Sequence, residues 1–97
     1  MKQYVIGNDI DDISWDIYAK HEVPENFDDA TEMIVYAQHY YTPAATIPAA
    51  VSISGNRMKL VFLAADMRKT GVYDIVLEYK KPDLAFPGGV RNLRVTN

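Results

Sequence analysis

The sequence predicts an all-β domain, a seven-stranded antiparallel sandwich of immunoglobulin type. Three observations carry this reading. Short stretches of alternating apolar and polar residues recur along the chain, separated by clusters of Gly, Pro, Asn and Asp. No stretch holds a convincing apolar repeat at helical spacing. Near the end of the chain, Thr70-Gly71-Val72-Tyr73 opens the strongest strand pattern as Gly-x-Tyr. That is the mark of a tyrosine corner, in which the phenol hydroxyl bonds back to backbone just upstream.

Gln3 to Ile6 reads as the first strand, ended by the turn Gly7-Asn8-Asp9. Ile13 to Ala19 alternates and places Ile13, Trp15 and Ile17 toward the core. Lys20 to Asp29 is a polar loop holding Pro24. Thr31 to Gln38 is the third strand, with Met33, Val35 and Ala37 on one face and Ile34, Tyr36 and Gln38 on the other. Asp28 to Glu32 also fits a helix start, but the β-branched and aromatic content, and the Pro43 beyond, favour a strand.

His39 to Pro48 is a second loop, rich in Tyr. Ala50 to Ser54 and Arg57 to Leu63 form a hairpin about Gly55-Asn56, with Met58, Leu60 and Phe62 inward. Ala64 to Thr70 crosses to the sixth strand, where Tyr73, Ile75, Leu77 and Tyr79 share one face and Asp74, Val76 and Glu78 the other. Lys81 to Gly89 is a third loop, and Val90 to Thr96 the last strand, with Leu93 and Val95 inward. Every proline is expected outside the strand cores.

The 97 residues form one domain, 1–97, with enough apolar content, 48%, for one core. A net charge of -3 argues against nucleic acid and anionic membrane as main partners, which both reward a basic surface. Cysteine is absent, so the fold needs no disulfide and has no thiolate metal site. The first residues hold no apolar segment of a signal peptide, and no apolar run approaches the roughly 20 residues of a membrane span.

The acidic group Asp9, Asp11, Asp12 and Asp16 lacks the spacing of a calcium loop, since Ile13 stands where a ligand is due, and reads as a solvated turn. His21 and His39 fall in separate loops, which argues against a shared zinc. Ser14, Ser52 and Ser54 face outward on strands with no histidine nearby in sequence, and no phosphate-loop, dinucleotide or nucleophile-elbow motif occurs. The chain is therefore expected to be no enzyme and to need no cofactor or metal.

Two surfaces are candidates for binding. Ile34, Tyr36 and Val76 are apolar on outward strand faces, and should form one patch with Glu78 and Arg94 at its rim, suited to a protein partner or self-association. The loop aromatics Tyr40, Tyr41, Phe27 and Phe86 suit the alternative, a carbohydrate- or cell-surface-binding module. For Phe27 and Phe86 the competing structural role, capping the open ends of the core, weighs more. A small-molecule ligand is not expected, and a glycan enters only through that alternative. Trp15 and Tyr73 are expected to be structural.

Gly7-Asn8-Asp9 after the first strand, Phe27-Asp28-Asp29-Ala30-Thr31 before the third and Thr70-Gly71-Val72-Tyr73 opening the sixth occur in an order that resembles the N-terminal β-sandwich domain of tailed-phage baseplate upper proteins and related prophage tail modules. The resemblance spans nearly the whole chain. It implies an assembly role, attaching a host-recognition or fibre device to a phage particle, and with it expression in the cytoplasm or presence in the virion.

Overall fold

The computed structural model describes residues 1–19, 33–79, 84–86 and 89–97. The expected polar loop Lys20 to Asp29, with His21, Pro24 and Phe27, lies outside these residues, as do Pro82 and Pro87.

The chain is all-β. Its strands are β1 (Lys2–Val5), β2 (Ile10–Asp16), β3 (Tyr18–Ala19), β4 (Met33–His39), β5 (Thr46–Ser54), β6 (Arg57–Phe62), β7 (Gly71–Tyr79), β8 (Leu84–Ala85) and β9 (Asn92–Thr96). Among the described residues the one helical element is a 3-10 turn at Ala64–Asp66. Seven strands join in the order β1-β9-β7-β4-β5-β6-β2, and β3 pairs with β8 apart from them.

This sheet is mixed, where an antiparallel one was expected: β1 runs parallel to β9, with Tyr4 opposite Val95. The other pairs are antiparallel. Alternation fixes which face a residue takes, but not which neighbour a strand selects, so the parallel pair left no trace in the sequence pattern.

The long strand β5 joins two parts of the sheet. Thr46, Ile47 and Pro48 pair with β4, and Ala49 to Ser54 pair with β6. Pro48 therefore lies inside a strand, contrary to the expectation for prolines. It sits where β5 changes partner, a place where its missing N–H breaks no continuing ladder.

Strand β2 begins earlier than alternation predicts. Ile10 opposes Phe62 and Ile13 opposes Leu60, three steps on one strand against two on the other. The extra residue is a β-bulge, and it turns both isoleucines inward despite their odd spacing. Rows of in-register side chains then build the core: Ile13, Leu60 and Val51 in one, Trp15, Met58 and Ile53 in the next. The buried cluster continues through Val35, Ala37, Ile47, Phe62, Tyr73, Ile75, Leu93 and Val95.

The two ends of the seven-strand sheet meet through side chains. The Tyr4 hydroxyl on β1 donates to Asp12 Oδ1 on β2 at 2.8 Å, and Lys2 Nζ lies 3.3 Å from Asp12 Oδ2. The Tyr4 hydrogen bond, and after it Lys2, hold the Asp12 carboxyl below its ordinary value. Burial, then the Asp12 bond and charge, push the Tyr4 phenol well up.

Candidate functional site

Pairing of β4 with β7 sets Ile34 opposite Glu78 and Tyr36 opposite Val76. Directly opposed residues share a face with their Cβ atoms about 5 Å apart, so these four form one contiguous surface. Ile34 is 59% exposed. The Tyr36 hydroxyl donates to Glu78 Oε1 at 3.3 Å, and loss of hydration together with the Glu78 charge raises the Tyr36 phenol.

Arg94 does not join this group. It opposes Val72, four residues along β7 from Val76 and so roughly 13 Å away along the strand. A residue that alternation did not reveal takes its place: Pro48 opposes Tyr36 from β5 and extends the apolar surface across a third strand. Ile34, Tyr36, Gln38, Thr46 and Pro48 border a shallow hollow of about 330 Å³ where β5 leaves β4. Its sequence signal was Pro48 at even spacing from Thr46 and Ala50, masked by the assumption that a proline marks a loop.

The loop aromatics separate into two kinds. Phe86 is buried, and packs on Trp15 with ring centroids 6.1 Å apart and on Tyr79 at 5.3 Å. It caps the core as its competing role had it, and is not available to a ligand. Tyr40 and Tyr41 are 59% and 81% exposed, edge to face at 4.9 Å.

His39 corrects another expectation. It is not a loop residue: it ends β4 and is buried. Its Nδ1 accepts the backbone N–H groups of Tyr41 at 3.2 Å and Thr42 at 3.1 Å, while Nε2 lies 3.1 Å from the Thr70 carbonyl oxygen. Two donors at Nδ1 require an unprotonated nitrogen there, so Nε2 carries the hydrogen and donates to Thr70. The ring thus organises the turn that presents the two exposed tyrosines. Gly71, at φ +131°, admits it: a Cβ there would lie 2.5 Å from His39 Nε2.

Tyr73 opposes His39 and meets its ring edge to face at 5.1 Å. Its hydroxyl donates to the Lys69 carbonyl at 2.6 Å, inside the crossing from β6, and burial raises its phenol. Trp15, also buried, donates from Nε1 to the Val90 carbonyl at 3.1 Å, with the Arg91 guanidinium 4.3 Å above its ring.

Three of the acidic residues keep contact with solvent and also have protein partners. Asp9 Oδ1 accepts from the Ala64 N–H at 2.7 Å, Asp12 joins Tyr4 and Lys2, and Asp16 pairs with Arg57 at 3.1 Å. Among the described residues no group of three or more His, Cys, Asp or Glu gathers to hold a metal.

No protein-family model, curated protein or solved structure matches the chain.

Proposed function

We propose that the chain is a non-enzymatic assembly module that acts through protein–protein contacts on the outward face of β4 and β7. The observation that carries this reading is the in-register set Ile34, Tyr36, Val76 and Glu78, apolar at its centre and hydrogen-bonded at its rim. Isolated exposed apolar residues are ordinary, whereas a contiguous patch with a polar border marks contact surfaces. Pro48 widens the patch, and both it and Ile34 are exposed apolar residues where a solvated sheet face is normally polar. In the finer reading of the fold, the sheet bends at β5 into two layers of an immunoglobulin-like sandwich, with β1, β9, β7 and β4 in one and β6 and β2 in the other. The resemblance to phage baseplate and prophage tail modules supplies the setting, attachment of one tail component to another.

The partner proposed for the test is a second copy of the chain. Ile34→Asp combined with Val76→Lys places charges at the centre of the contact, where burial without pairing costs several kcal/mol, on the order of 3–5. Light scattering should show the wild type self-associating and the double variant folded but monomeric. A wild type that stays monomeric at high concentration eliminates self-association, and a double variant that unfolds makes the patch part of the core.

A second reading rests on Tyr40 and Tyr41, whose exposed rings project from the turn that His39 braces through its backbone. Exposed aromatic rings stack on sugars, so this reading makes the chain a carbohydrate- or cell-surface-binding module. Glycan-array binding that is lost in Tyr40→Ala and Tyr41→Ala would establish it in place of the first.

A further inference from the structure

The outward face of β2, β6 and β5 differs in kind from that of β4 and β7. Lys59 on β6 is flanked directly by Ser14 on β2 and by Ser52 on β5, and the next outward row sets Arg57 between Asp16 and Ser54. Serine is a poor strand former, so three of them around two cations are not explained by strand propensity. Because serine is short, the face sinks around the two long side chains, leaving a hollow of about 330 Å³ lined by Ser14, Ser52, Ile53, Ser54, Arg57 and Lys59.

The polar side chains lining this hollow can all donate hydrogen bonds. Lys59 enters no ion pair or side-chain hydrogen bond among the described residues. Asp16 Oδ1 takes Arg57 Nε at 3.2 Å and Nη2 at 3.1 Å, which orients the guanidinium and leaves its other N–H groups for a further acceptor. Two cations, Lys59 and Arg57, stand around the hollow against the Asp16 carboxylate, while Asp11 and Asp12 lie exposed further along β2, so the positive charge is local to these two rows. An ammonium, part of a guanidinium and three hydroxyls form a set that a tetrahedral oxyanion satisfies, since each of its oxygens accepts from a different donor.

We propose that this hollow binds a phosphate or sulfate group, carried as an ester on a larger ligand. Lys59 supplies the central charge, Ser14 and Ser52 donate from either side, and Arg57 closes the next row. The site is independent of the β4–β7 face, so its failure leaves the assembly reading intact.

The test is a two-dimensional amide NMR titration at constant ionic strength with inorganic phosphate, inorganic sulfate, N-acetylglucosamine 6-phosphate and N-acetylglucosamine 6-sulfate, against sodium chloride. Saturable shifts centred on Ser14, Ser52 and Lys59 are expected with at least one oxyanion, and the tighter of the two sugar esters shows which oxyanion the site prefers. Lys59→Gln should weaken binding by about tenfold or more, whereas Lys2→Gln, elsewhere on the surface, should leave it unchanged. Ser14→Ala with Ser52→Ala keeps the charge and removes the flanking donors. It should abolish the preference for oxyanions over chloride. Shifts equal to those from sodium chloride, or unchanged by Lys59→Gln, would overturn the proposal.

Discussion

The two ends of β7 are anchored by different physics. At its C-terminal end, Tyr79 and Phe86 lead to Trp15 through ring packing, with the Arg91 guanidinium above the indole. Three hydrogen bonds there run to nearby carbonyls, from Trp15 to Val90, Tyr79 to Leu84 and Arg91 to Phe86, none of which involves a buried acceptor side chain like His39. At its N-terminal end, His39 and Tyr73 are held by a hydrogen-bonded set that ties two backbone segments together, at Tyr41–Thr42 and Lys69–Thr70. Dispersion and area burial are non-directional and sum over many weak contacts. Buried hydrogen bonds are few and directional, and expensive to leave half made. The first end should therefore respond to lost volume, and the second to lost donors and acceptors even at constant volume.

The largest effect expected is that of Trp15→Ala, about 3–5 kcal/mol, from a large buried ring and the cavity it leaves. Unfolding in denaturant measures it, and a loss below about 1 kcal/mol would mean that packing does not secure this end. At the other end His39→Ala should cost about 2–4 kcal/mol, because two N–H groups and a carbonyl lose their partner in a buried site. His39→Phe restores ring volume but not the acceptor. If it recovers most of the stability, the contrast between the ends fails.

Tyr73→Phe isolates one hydroxyl and should cost about 1–2 kcal/mol, the range for a largely buried hydrogen bond that strands its acceptor. No change in unfolding free energy would show that the Lys69 contact contributes nothing.

Smallest is the exposed bond between β1 and β2: Tyr4→Phe should cost only about 0.5 kcal/mol. Its signature is its pH profile. The depressed Asp12 carboxyl contributes stability that is present above its ordinary 3.8 and lost as pH falls through the lower folded value. The raised Tyr4 phenol contributes stability present below 10.0 and lost as pH rises through the higher folded value. Wild type should therefore exceed Tyr4→Phe in the window between, lose that advantage at low pH, and fall below the variant at high pH, where the half-buried phenolate faces the Asp12 carboxylate. A constant difference across pH would remove the Asp12 partnership.

Alternation made most of the strands legible, because each packs one face on the core. It failed where local chemistry breaks the period of two. The bulge at Asp11–Asp12 shifts the phase within β2, so its first residues resembled a turn. Pro48 hid the first half of β5, since a proline inside a strand is tolerated only where a ladder changes partner. Strands β3 and β8, of two residues each, are too short for any period. His39 resembled a loop residue because burial of a histidine depends on backbone groups far along the chain, Thr70 among them. Of the candidate surface, Ile34, Tyr36, Val76 and Glu78 followed from side-chain phase once β4 and β7 were neighbours. Arg94 did not, because its position depends on the β7–β9 register, which no phase argument supplies.

The parallel pairing of β1 with β9 has a mechanical consequence. Lys2 opposes Leu93 and Val5 opposes Thr96, so the leading end of β1 and the trailing end of β9 lie at opposite ends of one ladder. Tension applied before Lys2 and after Thr96 pulls the two strands past each other along their length. The evenly spaced, slanted bonds of a parallel ladder are then loaded together and do not open one after another. The Ile6 N–H to Thr96 carbonyl bond at 2.7 Å lengthens that ladder by a residue. Forced extension is governed by the unfolding barrier, not by equilibrium stability, so a domain of modest free energy clamped in this way resists stretching along the line joining its termini.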